Sequence, residues 1–67
     1  MKDVCEQLNE IARKDWFVAI RTGGYRHPHG WQVVLISPKH RNPEVRVYHR
    51  YLRAAVRIAY RKWKGKQ

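Results

Sequence analysis

The chain has 67 residues, a formal net charge of +10 and a single cysteine. A chain of that length makes one domain, buries only about 60% of its unfolded surface, and with one cysteine has no disulfide framework to support a small core. Its longest apolar runs, Trp16–Ile20 and Val33–Ile36, are too short to cross a bilayer, and no basic-then-apolar leader is visible, so a soluble cytoplasmic protein without membrane contact is expected.

Residues 3–14 predict a first helix. Asp3 is a good N-cap, and Glu6 three residues on completes a capping-box-like pair. Val4, Leu8, Ile11 and Ala12 form its apolar stripe, and Cys5 is expected to pack as a small apolar group. The helix starts acidic and ends basic at Arg13 and Lys14, which suits its dipole.

Residues 16–22 predict a strand rich in aromatic and β-branched residues. Trp16, Val18 and Ile20 share one face, and Phe17, Ala19 and Arg21 the other. Gly23-Gly24 is expected to end it. The stretch from Tyr25 to Gly30 then forms a loop with a basic, aromatic tip, and residues 31–36 form a second, antiparallel strand.

Residues 37–43 predict a turn bounded by Pro38 and Pro43. Residues 44–47 allow a short third strand with Val45 and Val47 on one face. From Tyr48 to Lys64 the pattern is helical, with a weak start because Tyr48 and His49 are poor caps. Gly65 to Gln67 read as a frayed tail. The expected fold class is α+β, in the order α-β-β-β-α: a three-stranded antiparallel sheet with both helices on one face, in a single domain spanning 1–67.

The last helix carries the strongest functional signal. Leu52, Ala55, Val56, Ala59, Tyr60 and Trp63 recur at helical spacing as a buried stripe. Arg50, Arg53, Arg57, Arg61 and Lys64 recur on the other side over about 21 Å. No acid interrupts them. Residues 1–15 hold four acids and a net charge of −1, whereas residues 16–67 hold Glu44 as their only acid and a net charge of +11. Five like charges on one face repel one another unless an anion relieves them. The expected partner is therefore a polyanion, most simply the phosphate backbone of a nucleic acid. Arg26, His27 and His29 in the first loop offer a second contact, and Lys39 and Arg41 in the second turn a third. The acidic first helix is expected to pack the sheet and hold its acids away from the ligand.

The element order resembles the double-stranded RNA-binding domain over nearly the whole length. His27-Pro28-His29-Gly30 falls where that family has a Gly-Pro-x-His loop entering the minor groove. His49, Arg50 and Arg53 fall where it places lysines on phosphates, ahead of the buried Ala55, Val56 and Ala59. The resemblance implies duplex RNA read by shape. The chain also resembles HicA-type mRNA interferase toxins through Trp16-Phe17, Arg21-Thr22-Gly23-Gly24, Pro38-Lys39-His40 and Leu52-Arg53. In that alignment Tyr25 stands where the catalytic histidine belongs.

His27 and His29, with Arg26 or Lys39 to steady charge, leave an mRNA-cleaving HicA-like toxin as an alternative, but nothing in the sequence fixes them as a general acid–base pair, so a non-enzymatic module with no catalytic residues is the leading expectation. The four histidines and Cys5 lack the cysteine pairs of zinc spacing, so no metal and no cofactor is expected. Trp16, Trp31 and Trp63 are expected in the core, and Tyr25, Tyr48 and Tyr51 at the surface. A different class of function uses the same charges. Small basic phage- or plasmid-encoded modulators, such as anti-CRISPR proteins, grip acidic protein or ribonucleoprotein surfaces. An edge strand at 44–47 and an uncovered sheet face also offer a route to a homodimer.

Overall fold

The computed structural model describes residues 3–24 and 27–66, with the side chains of residues 23–28 aside. The element order is α1 (Val4–Arg13), β1 (Phe17–Gly24), β2 (His27–Ile36), β3 (Pro43–His49) and α2 (Leu52–Gly65). The strands form one antiparallel sheet in the order β1-β2-β3, and both helices pack against it as expected.

α1 begins where Asp3 accepts a hydrogen bond from the Glu6 backbone N–H at 2.8 Å, which satisfies one of the orphan donors of the first turn. Its buried side holds Ile11 and Gln7, with Val4 and Leu8 packed beside them. Ala12, expected on that stripe, is exposed, and so is Cys5. The stripe 4, 7, 8, 11 is narrower than the one read from apolar residues alone, and it takes in a polar residue because position, not polarity, decides what faces the core. The chain leaves α1 through Lys14 and Asp15, the latter at φ 64°. That left-handed residue turns the backbone sharply into β1, and aspartate is among the few non-glycine residues that tolerate it.

The sheet register sorts the strand residues into two faces. Val18, Leu35 and Val45 lie opposite one another, as do Ile20, Val33 and Val47. These rows meet the helices. Leu35, Val33, Val45 and Val47 are buried and join Ile11, Ala55, Val56, Ala59 and Trp63 in one core. Trp16 and Val18 pack against it. Ile20 shares the core-facing side but sits on the outer strand and keeps 39% of its surface exposed.

Two boundaries differ from expectation. β2 starts at His27, not at residue 31, because the backbone pairing continues to Gly24 opposite His27 after a slip in register beyond Thr22 and Trp31. β3 ends opposite Trp31, so Pro28 lies in a stretch with a strand on one side only, where a missing N–H is tolerated. Tyr25 and Arg26, expected at the tip of a longer loop, lie outside the described residues.

α2 starts at Leu52, not near Tyr48. Tyr48 and His49 instead pair with Gln32 and Trp31 at the end of β3. Aromatic side chains fit a pleated surface as readily as a helix, and the neighbouring strand decides between them. The other end runs longer than a frayed tail would: the helix reaches Gly65, and the Lys66 backbone N–H donates to the Trp63 carbonyl at 3.0 Å.

Candidate functional site

Three relationships set the layout of the charges. The start of β1 meets the end of α2 through Trp16 and Trp63. The end of β3 lies beside the start of the long part of β2, with His49 opposite Trp31. Glu10, late in α1, reaches Tyr60 and Lys64, late in α2, while Asp3, Val4 and Cys5, early in α1, share a depression with Leu52, Arg53 and Arg57, early in α2. The two helices therefore run side by side in the same direction.

Arg53, Arg57 and Arg61 are all exposed on α2, and among the described residues none of them takes part in an ion pair. Arg53 and Arg57 occupy the flank of α2 that faces α1. Arg50 is exposed but lies ahead of the helix, in the bend between β3 and α2, with its guanidinium carbon 5.7 Å from the centre of the Tyr51 ring. It extends the row around the helix start without belonging to the helix.

Lys64 is held differently. Its ammonium pairs with Glu10 at 3.3 Å and stands 5.8 Å from the ring centres of both Tyr60 and Trp63. Glu10 also accepts a hydrogen bond from the Tyr60 hydroxyl. The expectation that α1 keeps its acids clear of the basic row thus needs correction. α1 lies along that row, and its most buried acid, Glu10, engages the last cation, because opposite charges on facing helices attract at close range. Arg53, Arg57 and Arg61 remain as the open part of the row, about 12 Å long on the helix axis.

The start of α2 is unusually open. Its N-cap Tyr51 makes no side-chain capping bond, and its first turn carries no acid. The Tyr51 backbone N–H instead donates to His49 Nδ1 at 3.0 Å. His29 is exposed on the part of β2 that extends past β3, at this same end of the sheet. Arg26 and the side chain of His27 lie outside the described residues.

Lys39 and Arg41 are also exposed, in a turn closed by bonds from Ser37 N–H to the Asn42 carbonyl and from Arg41 N–H to the Ser37 carbonyl. That turn leaves β2 after Ile36, at the far end of the sheet from His29, roughly 23 Å away along β2 at about 3.3 Å per residue. The structure brings Arg50, Arg53 and His29 to one end, sets Lys39 and Arg41 at the other, and runs Arg53, Arg57 and Arg61 along the helix between.

Phe17, Arg21, Arg46 and Tyr48 are exposed on the helix-free face of the sheet, with the acid Glu44 exposed two residues before Arg46 on the same strand. The alternation of β1 already places Phe17 and Arg21 together, and the signal that could have singled them out is a large aromatic on the face away from the core.

No protein-family model, curated protein or solved structure matches this chain.

Proposed function

We propose that this domain is a nucleic-acid-binding module that holds the phosphate backbone of a duplex through the arginine row of α2. The observation that carries the reading is the set Arg53, Arg57 and Arg61, each about one turn apart, exposed and without an ion pair among the described residues. A duplex carries one negative charge per about 1.7 Å of axis, so a row about 12 Å long meets several phosphates at once. Arg50 and His29 lengthen the contact at the uncapped start of α2, where unpaired backbone N–H groups also favour an anion. The α-β-β-β-α order, which is compatible with the double-stranded RNA-binding fold, favours duplex RNA over DNA, with recognition by shape.

The test is a salt titration of binding to duplex RNA, duplex DNA and single strands. Three neutralised phosphates give a slope of log K against log salt near −2.7, and a fourth from Arg50 moves it to about −3.6. Arg57→Glu flattens the slope without unfolding the domain, because the position is exposed. If no duplex binds below about 10 µM at about 50 mM salt, the nucleic-acid reading fails and the row turns toward an acidic protein surface.

A further inference from the structure

The second candidate surface is the face of the sheet that neither helix covers. The register places Phe17 with Ile36, Ala19 with Val34 and Arg46, and Arg21 with Gln32 and Tyr48 on that face. Phe17 is 74% exposed and Tyr48 40% exposed. Val34 between them is buried, flanked by Ala19 on β1 and the exposed Arg46 on β3. The Tyr48 hydroxyl accepts a hydrogen bond from Gln32 Nε2 at 3.0 Å, which ties the tyrosine to the central strand. Beside Phe17 lies an open cavity, mostly apolar, lined by Ile36, Ser37, Pro38 and Arg41, with Asp15 on its rim.

We infer that this face docks single-stranded nucleic acid, with bases stacked on Phe17 and Tyr48 and phosphates met by Arg21 and Arg46. The occupant follows from the pairing of chemistries. Two exposed aromatics and two exposed arginines share the face with one acid, Glu44, and a single strand supplies a flat ring for each aromatic and a negative charge for each arginine. A second copy of the chain does not suit the face. Each copy carries a net charge of +10, and two faces pressed together would bring Arg21 and Arg46 of both copies into one interface with only Glu44 from each β3 to offset them. An acidic protein would satisfy the arginines and leave the rings without flat partners. Phe17 and Tyr48 stand roughly 16 Å apart on the diagonal, from strand spacings of about 4.8 Å and a rise of about 3.3 Å. Roughly three to five nucleotides cover that span. The face is opposite the one that carries α2, so the inference stands apart from the duplex reading.

The experiment is fluorescence anisotropy with labelled oligouridine of about ten nucleotides and an abasic strand of equal length, at about 50 mM salt. The expected result is a loss of oligouridine affinity of about 5- to 100-fold for Phe17→Ala and for Tyr48→Ala. Tyr48→Phe keeps the ring and stays within about twofold of wild type. The abasic strand binds more weakly and does not respond to Phe17→Ala. Circular dichroism checks that the exposed substitutions leave the fold intact. Equal oligouridine binding by wild type and Phe17→Ala overturns the inference. So does polyglutamate binding with the same dependence on Phe17, or a sedimentation dimer that Phe17→Ala dissociates. Alkylation of Cys5, which shares the depression with Arg53 and Arg57, separates the two surfaces. A duplex on α2 slows it, whereas oligouridine on the sheet leaves it unchanged. Loss of duplex binding in Arg57→Glu with oligouridine binding intact supports the helix reading, and duplex binding unchanged in Arg57→Glu removes that reading without touching the sheet.

Discussion

Trp16 and Trp63 meet edge to face, with ring centroids 6.3 Å apart and planes at 87°. The contact ties the start of the sheet to the last turns of α2 and closes the core at that end. Edge-to-face pairs contribute beyond simple burial, and Trp63 is the largest fully buried side chain.

Trp63→Ala is therefore expected to remove about 3–5 kcal/mol. A domain of this size has about that much stability in total, so urea unfolding of the variant loses its cooperative transition at room temperature. Trp63→Phe is far milder. It keeps an apolar ring and removes an indole N–H that is buried without a partner. A Phe variant as unstable as the Ala variant would show that the indole's shape, rather than its apolar volume, sets the packing.

The Glu10 carboxylate joins the helices through Tyr60 and Lys64. Glu10→Gln weakens a charge-assisted hydrogen bond in a half-buried site and is expected to cost about 1–2 kcal/mol in urea unfolding. The same change releases the Lys64 ammonium to solvent. Duplex affinity at low salt then rises, and the slope of log K against log salt steepens by about 0.9. Stability and affinity moving in opposite directions is the signature to look for; unchanged affinity would show that Lys64 lies outside the contact.

At the start of α2, Tyr51 has the extended backbone of an N-cap, φ −111° and ψ 131°, without a capping side chain. Tyr51→Ser supplies the missing acceptor and raises the thermal midpoint, by an amount equivalent to about 0.5–1 kcal/mol. Tyr51→Asp caps as well and stabilises the helix dipole. It also sets a negative charge beside Arg50 and Arg53, so it weakens duplex binding where Ser does not. Equal binding by the two variants would remove the helix start from the interface.

Gln7 is 9% exposed, and its side-chain oxygen is buried without a hydrogen-bond partner. Gln7→Leu, similar in size, relieves that unmet acceptor and is expected to raise stability by about 1 kcal/mol, read as a higher urea midpoint. A lower midpoint would show that the glutamine does structural work through its amide.

The elements were largely legible because their periodicities differ. Val45 and Val47 alternate, Ala55, Val56, Ala59 and Trp63 recur at helical spacing, and Asp3 marks a helix start; all three patterns hold in the fold. The errors fall where local chemistry is neutral between alternatives. Tyr48 and His49 extend the helical pattern of α2 on paper, yet they continue β3 because Gln32 and Trp31 lie alongside to pair with them. Residues 27–30 look like turn residues, yet the backbone extends β2 because β1 reaches Gly24. Ala12 and Gln7 exchange places because the direction from which α2 approaches α1 decides which side is covered.

The candidate site divides in the same way. By itself the sequence determined that the domain is strongly basic after residue 15, that α2 carries arginines opposite an apolar stripe, and that Phe17 and Arg21 share a strand face. These follow from charge counts and from the periods of helix and strand, which are local properties. Only the tertiary structure decided that Lys39 and Arg41 stand at the far end of the sheet from His29, that Arg50 lies before the helix, and that Glu10 engages Lys64. Those relations depend on strand register and on the parallel course of two helices. Both are set by contacts between residues distant in the chain, for which a single sequence carries no period to read.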